Sequence, residues 1–291
     1  MRLKYLWVFF LFLGTSIFAD TIELTTGEIL SGKVVEYSSK YTLFKYKYAD
    51  MRIPNNDIKQ IIINDFGSKT TVLSIPQEGL IAEYLFNGDA NDSSGNRNHG
   101  TIIGAASTVD RKNRPSSAYY FNGSSYIKIP NSPSLNITSS ISIAAWYSGN
   151  SFPTTWPPII KKTGIGDAQS GGYTLEINTS PVWEDGTNGS AIAFHADLKN
   201  MKWAGATGHV VAEGWHFVVG TYDGVTMKLY YDGKLIKSNA YSGNITVSTN
   251  DLNIGRDPSN TDRFFKGYID DVRIYSRALS SGEIEMLYNA E

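Results

Sequence analysis

Residues 221–236, "TYDGVTMKLYYDGKLI", place two Asp-Gly pairs, Asp223-Gly224 and Asp232-Gly233, on either side of the run Thr226–Tyr231. Asp-Gly suits the positive φ of a tight hairpin turn, so three consecutive antiparallel strands are expected here. Similar short runs lie outward from it: "AYYFNG", "YIKIP", "ISIAAWYSG", "GYTLEI", "AIAFHA" and "GWHFVVG" before, "LNIGR" and "GYIDDVRIY" after. Many short strands with almost no helical periodicity predict an all-β sandwich. One exception is "SRALSSGEIEMLYNAE", where Ser281 stands three residues ahead of Ile284, with Leu287 and Tyr288 following. That stretch predicts a short C-terminal helix.

The chain has 291 residues, 41% hydrophobic, 13% aromatic and 19% charged, a folded composition with room for about two domains. Its net charge is −2 and its longest basic run is Lys161-Lys162, so no electrostatic case exists for nucleic acid. Arg2 and Lys4 precede an apolar run from Leu6 to Leu13, and small and polar residues follow up to Ala19. This pattern predicts a signal peptide over residues 1–19, cleaved near Ala19, and a secreted, periplasmic or cell-envelope location. Its removal takes the net charge from −2 to −4. No later stretch approaches the roughly 20 apolar residues of a membrane helix, so no membrane insertion is expected. There is no cysteine, hence neither a disulfide nor a cysteine-linked lipid anchor.

Residues 21–63 read as five short strands separated by Gly27, Ser38/Ser39, Asp50 and Asn55/Asn56. Alternation is clearest in "TLFKYKY", which puts Phe44, Tyr46 and Tyr48 on one face. Five strands in so few residues predict a small barrel over residues 20–65. "LTTGEILSGKVVEY" followed by a strand pair and "IPNNDIKQI" resembles an SH3-like or Sm-like barrel. The RNA binding that an Sm-like resemblance brings with it has no basic face to support it here. Residues 66–78 read as a linker, with "TTVLSI" a possible bridging strand, and the second domain spans 79–291.

In that second part, five motifs occur in order: "LIAEYLFNGDANDSSGNRNHGT", "AYYFNGSSYIKIPNSPSLNITSSISIAAWYSG", "GWHFVVGTYDGVTMKLYYDGKLI", "LNIGRD" and "FKGYIDDVRIYSRALSSGEI". Together they resemble a laminin-G-like domain of the concanavalin A-like superfamily, which implies a two-sheet antiparallel jelly roll. The resemblance also implies a structural calcium ion held by the loop "DSSGNRNHG" and the strand "IDDV". Asp92, the Gly95 carbonyl, Asn98 and one or both of Asp270 and Asp271 would then supply oxygens, which suits the six to eight that Ca²⁺ takes. Asp92, Gly95 and Asn96 read alternatively as turn formers, chosen for backbone reasons. His99 has no partner at zinc spacing and is expected to be packed or hydrogen-bonded.

Members of the family are recognition modules, which implies a non-catalytic, carbohydrate-binding protein, with a surface-protein adhesion module as the alternative. No strand carries the alternating carboxylates of a glycan hydrolase, the remaining alternative, and there is no nucleophile elbow or phosphate loop. Trp146 and Trp215 lie in strand-like runs and are expected to pack. Trp156, Trp183 and Trp203 lie in Pro-, Gly- and polar-rich segments read as loops. With Tyr173 they form a candidate platform for a glycan or polysaccharide, with Glu184, Asp185 and Asn188 as hydrogen-bonding partners. The same tryptophans suit caps over the ends of the core, or anchors for a surface protein.

Overall fold

The computed structural model describes residues 20–24, 26, 28–37, 41–46, 49–54, 58–63, 71–72, 75–149, 156–163, 171–178, 191–199, 201–209, 214–259 and 262–290. Residues 1–19, read from sequence as a signal peptide, lie outside them. The chain divides into two compact units, residues 1–74 and 75–291.

The first unit contributes β1 (Asp20–Leu24), β2 (Ile29–Tyr37), β3 (Tyr41–Tyr46), β4 (Ala49–Pro54), β5 (Ile58–Ile63) and β6 (Thr71–Val72). They form one antiparallel sheet in the order β4-β3-β2-β1-β5-β6. The sixth strand lies within "TTVLSI" and pairs with β5, Val72 opposite Ile62. Among the described residues no ladder joins β4 to β6, the pairing that would close this sheet into the expected barrel.

The second unit begins with β7 (Leu80–Tyr84), β8 (Thr101–Ile103), β9 (Ala106–Thr108), β10 (Ala118–Asn122), β11 (Tyr126–Ile129) and β12 (Ile141–Ser148). It continues with β13 (Pro158–Thr163), β14 (Gly172–Asn178), β15 (Ala191–Leu198), β16 (Met201–His209) and β17 (Trp215–Tyr222). The chain ends with β18 (Thr226–Tyr231), β19 (Lys234–Ala240), β20 (Leu252–Ile254), β21 (Lys266–Tyr275) and the helix α1 (Ser281–Ala290). One sheet runs β19-β18-β17-β12-β21-β10-β9, with β7 also on β21; the other runs β16-β15-β14-β13-β20-β11-β8. This is a jelly-roll sandwich. At the second Asp-Gly pair, Asp232 and Gly233 have φ of 48° and 76°, the two positive values of a type I′ turn joining β18 to β19.

Alternation along the strands assigns the faces. Ile141, Ile143, Ala145 and Tyr147 of β12 turn into a core shared with Leu175, Ile177, Ile192 and Phe194 of the opposite sheet. The two sheets interlock where the Phe194 ring lies on Gly220: a Cβ there would stand 2.2 Å from the ring. A fully buried Leu, Ile or Phe contributes about 1.5–3 kcal/mol, so a core of this extent holds the sandwich without a disulfide.

Trp146 is buried, but outside that core. It sits on the outer face of β12, where Tyr288 of α1 stacks on it at 5.7 Å and the Arg111 guanidinium covers it at 4.3 Å. Trp215 is only half-buried, 6.0 Å from the Tyr268 ring. Helix α1 opens with a capping box: the Ser280 amide donates to Glu283 Oε2 (2.8 Å) and the Glu283 amide to Ser280 Oγ (3.3 Å).

Candidate functional site

The polar loop after β7 folds back along that strand. Asp92 Oδ1 accepts from the amides of Glu83 and Ser94, both at 2.9 Å, and Oδ2 from the Asn98 amide at 2.8 Å. Asn98 Nδ2 donates to the Ile81 carbonyl (2.7 Å), Asn96 Nδ2 to the Leu80 carbonyl (3.1 Å), and the Ser93 amide to the Glu83 carbonyl (2.9 Å). Side chains thus supply hydrogen-bond partners to the main chain of β7, which among the described residues pairs with β21 alone. His99 takes part through Nδ1, which accepts from the Asp92 amide at 3.2 Å.

Asp270 and Asp271 belong to a second cluster. Both are fully buried, and both accept from Arg111 Nη1, at 3.1 and 3.0 Å. Asp271 has φ 46°, in the stretch where β21 shifts register against β12. Between the clusters runs a buried ion pair, Arg273 Nε to Glu83 Oε1 at 2.8 Å, with Ser93 Oγ on the other carboxylate oxygen.

The five residues expected at a calcium ion are therefore divided between two arrangements. Asp92 is taken up by three main-chain amides. Asn98 Oδ1 accepts from Ser132 and Ser134. Gly95 is exposed, and an arginine faces the aspartate pair. Among the described residues no group of three or more acidic or histidine side chains could hold a metal ion. In this arrangement Asp92 and Asn98 are engaged by main-chain amides and serine hydroxyls and Asp270 and Asp271 by Arg111, whereas a calcium ion takes six to eight oxygens.

A different cluster lies on the outward face of the seven-stranded sheet. An open cavity of about 320 Å³ is lined by Trp156, Lys161, Glu176, His195 and Arg263. Lys161 (β13), Glu176 (β14) and His195 (β15) alternate with the core residues Ile160, Leu175 and Phe194 and so project to the opposite side. At the floor, Lys161 Nζ lies 3.1 Å from Glu176 Oε2 and 3.0 Å from Asp257 Oδ2. His195 Nδ1 stands 3.2 Å from Glu176 Oε1, and Thr174 Oγ1 reaches Oε2 at 3.4 Å. The Trp156 ring lies 5.8 Å from the His195 ring, and Arg263, partly exposed, stands 3.8 Å from Asp257.

Burial alone would push both carboxyls up, but neighbours win. The His195 bond and the Lys161 charge hold Glu176 below its ordinary value; the Lys161 charge and the Ser259 hydrogen bonds do the same for Asp257. Both are thus ionised at neutral pH, and His195 Nδ1 is the donor to Glu176. The imidazole owes its place to Gly205 on β16, where a Cβ would meet His195 Cδ2 at 1.9 Å.

Of the residues expected in a ligand platform, Trp156 lines this cavity, with its backbone in the left-handed region (φ 60°). Tyr173 does not: it is 1% exposed on the core face, its hydroxyl bonded to the Leu135 carbonyl. Trp203 stands within β16 rather than in a loop. Trp183, Glu184, Asp185 and Asn188 lie outside the described residues. Lys161, Glu176, His195, Asp257 and Arg263 were not singled out from sequence. The signal was there in "IIKKT", "YTLEIN" and "AIAFHADL", where a charged or polar residue interrupts each apolar run. Only the register shows that these interruptions share one face.

The Laminin_G_3 family model, described as the concanavalin A-like lectin/glucanases superfamily, matches residues 121–285, more than half of the chain. The chain belongs to this superfamily. No curated protein sequence matches it. Among solved structures, the superfamily fold is shared with domain 4 of AbnA, a GH43 extracellular arabinanase from Geobacillus stearothermophilus, in complex with arabinotriose. The TM-score is 0.53 and the identity 21%, over 72% of this chain and 98% of that one. The binding domain of Paraclostridial Mosquitocidal Protein 1 is similar at TM-score 0.56 and 18% identity, over 74% of this chain. So is the ligand binding domain of botulinum neurotoxin serotype D, in complex with N-acetylneuraminic acid, at the same TM-score and identity. This chain spans 52% of each of the latter two. At these identities the likeness is one of fold.

Proposed function

We propose that the jelly-roll unit is a carbohydrate-binding module that takes a glycan in the cavity bounded by Trp156, Lys161, Glu176, His195 and Arg263. The observation that carries this reading is the composition of the cavity. It has one indole, two cations, a carboxylate and an imidazole around about 320 Å³, near the lower end of the ~300–1,000 Å³ usual for small-ligand sites. A sugar offers an apolar C–H face to the indole and hydroxyls to the polar groups. The structural neighbours lend support to sugar binding as such, since two of them are complexes with a sugar, one neutral (arabinotriose) and one acidic (N-acetylneuraminic acid).

The floor favours binding without turnover. Two carboxylates are present, but a glycosidase needs one of them protonated as a general acid, with its pKa raised. Here Glu176 is held below its ordinary value by the His195 hydrogen bond and the Lys161 charge, and Asp257 by the Lys161 charge and the Ser259 hydrogen bonds, the opposite of a raised general acid. Residues 1–19 fit an exported protein, and among the described residues no helix is long and apolar enough to cross a membrane.

The test is binding of residues 20–291 to an immobilised glycan and polysaccharide panel, with soluble sugar as competitor. A narrow set of glycans bound, and released by the matching free sugar, is the expected result. Failure to bind any of them, or binding that no soluble sugar displaces, would contradict a glycan site.

A further inference from the structure

Resting on the glycan-binding reading, we infer that the cavity is built for neutral sugars and discriminates against those bearing a carboxylate or sulfate. Its charges are already matched. Lys161 Nζ is held between two buried carboxylates, at 3.1 Å from Glu176 and 3.0 Å from Asp257, and a second cation, Arg263, stands 3.8 Å from Asp257. Among the described residues Lys161 and Arg263 balance Glu176 and Asp257, so these four leave no excess charge for an ionic ligand to complement.

An incoming anion has two places to go, and each is opposed. At Lys161 it would have to displace Glu176 or Asp257 and leave a buried carboxylate without its counter-charge, a costly arrangement in a low-dielectric site. At Arg263 it would lie beside Asp257 Oδ2, and like charges at that range repel. A hydroxyl meets neither obstacle. It donates to a carboxylate lone pair and accepts from the Arg263 guanidinium in the same pose, and it disturbs no existing ion pair. The Trp156 ring adds a surface that prefers the uncharged C–H face of a sugar ring.

The experiment compares matched oligosaccharides, neutral members against counterparts carrying a uronic or sialic acid, by calorimetric titration at low salt and at roughly 0.5 M salt. The neutral members are expected to bind at least about tenfold more tightly, with affinity changing by less than about twofold across the salt range. Preference for the acidic members, or an affinity that falls about tenfold with salt, would overturn the inference and leave glycan binding intact. Binding of neither class would overturn the glycan-binding reading itself, and this inference with it.

Discussion

Gly205 and His195 show how far the site depends on single residues. The imidazole lies over the Gly205 Cα, and a methyl group there would fall 1.9 Å from its Cδ2. Gly205→Ala is therefore expected to swing His195 off Glu176 and to cut glycan affinity about tenfold, roughly one lost charge-assisted hydrogen bond. Calorimetric titration checks this, and an unchanged affinity would mean that the imidazole is not part of the binding surface. The residues differ in how well the sequence announced them. Trp156 stood out as an indole in a Pro-rich segment and does line the cavity. Tyr173 shares its face with Leu175 and Ile177, so period two already pointed it to the core. Glu176 and His195 were passed over because a polar residue between two apolar ones is what any half-buried strand shows; their meeting depends on pairing across three strands.

At the scale of elements, the loop after β7 and the helix α1 each hold their place with a few polar groups. Removing the Asp92 carboxylate leaves three amides without their acceptor, those of Glu83, Ser94 and Asn98. Asp92→Ala is expected to cost about 3 kcal/mol, seen as a melting temperature lower by roughly 6–12 °C for a unit of this size. Millimolar calcium is expected to leave the wild-type melting temperature unchanged. A rise of several degrees would show that the folded protein binds calcium. The loop was legible as a loop and its residues as oxygen donors, but sequence does not say whether oxygens face an ion or amides.

Helix α1 depends on Glu283, which pairs with Arg277 and caps the helix through Ser280. The Arg277 hydrogen bond above all pulls its pKa from 4.5 to about 2. Because the folded value is the lower one, the stabilisation is full above pH 4.5 and is lost as the pH falls through 2. For a pair still reached by solvent it amounts to under about 1 kcal/mol. The fluorescence of Trp146, stacked against Tyr288, reports helix docking. Glu283→Gln is expected to flatten its change across this window, and an identical acid transition in the variant would mean that another group governs it.

For the whole molecule, the jelly roll was legible because it rests on order: alternating strands, two Asp-Gly turns and a short terminal helix follow one another along the chain. The first unit was legible only as strands. Its pairing order β4-β3-β2-β1-β5-β6 came from structure, since short runs of similar composition do not specify their neighbours. The proposed glycan site lies on the outward face of one sheet, where alternation that fills the core on one side presents Lys161, Glu176 and His195 on the other. The most direct test is calorimetric titration of the best-bound neutral oligosaccharide into the wild type and Trp156→Ala, with melting curves of both. The account predicts an affinity lower by at least about tenfold in the variant, with the melting temperature within roughly 2 °C. Equal affinity in the two proteins would contradict it and place any sugar site elsewhere.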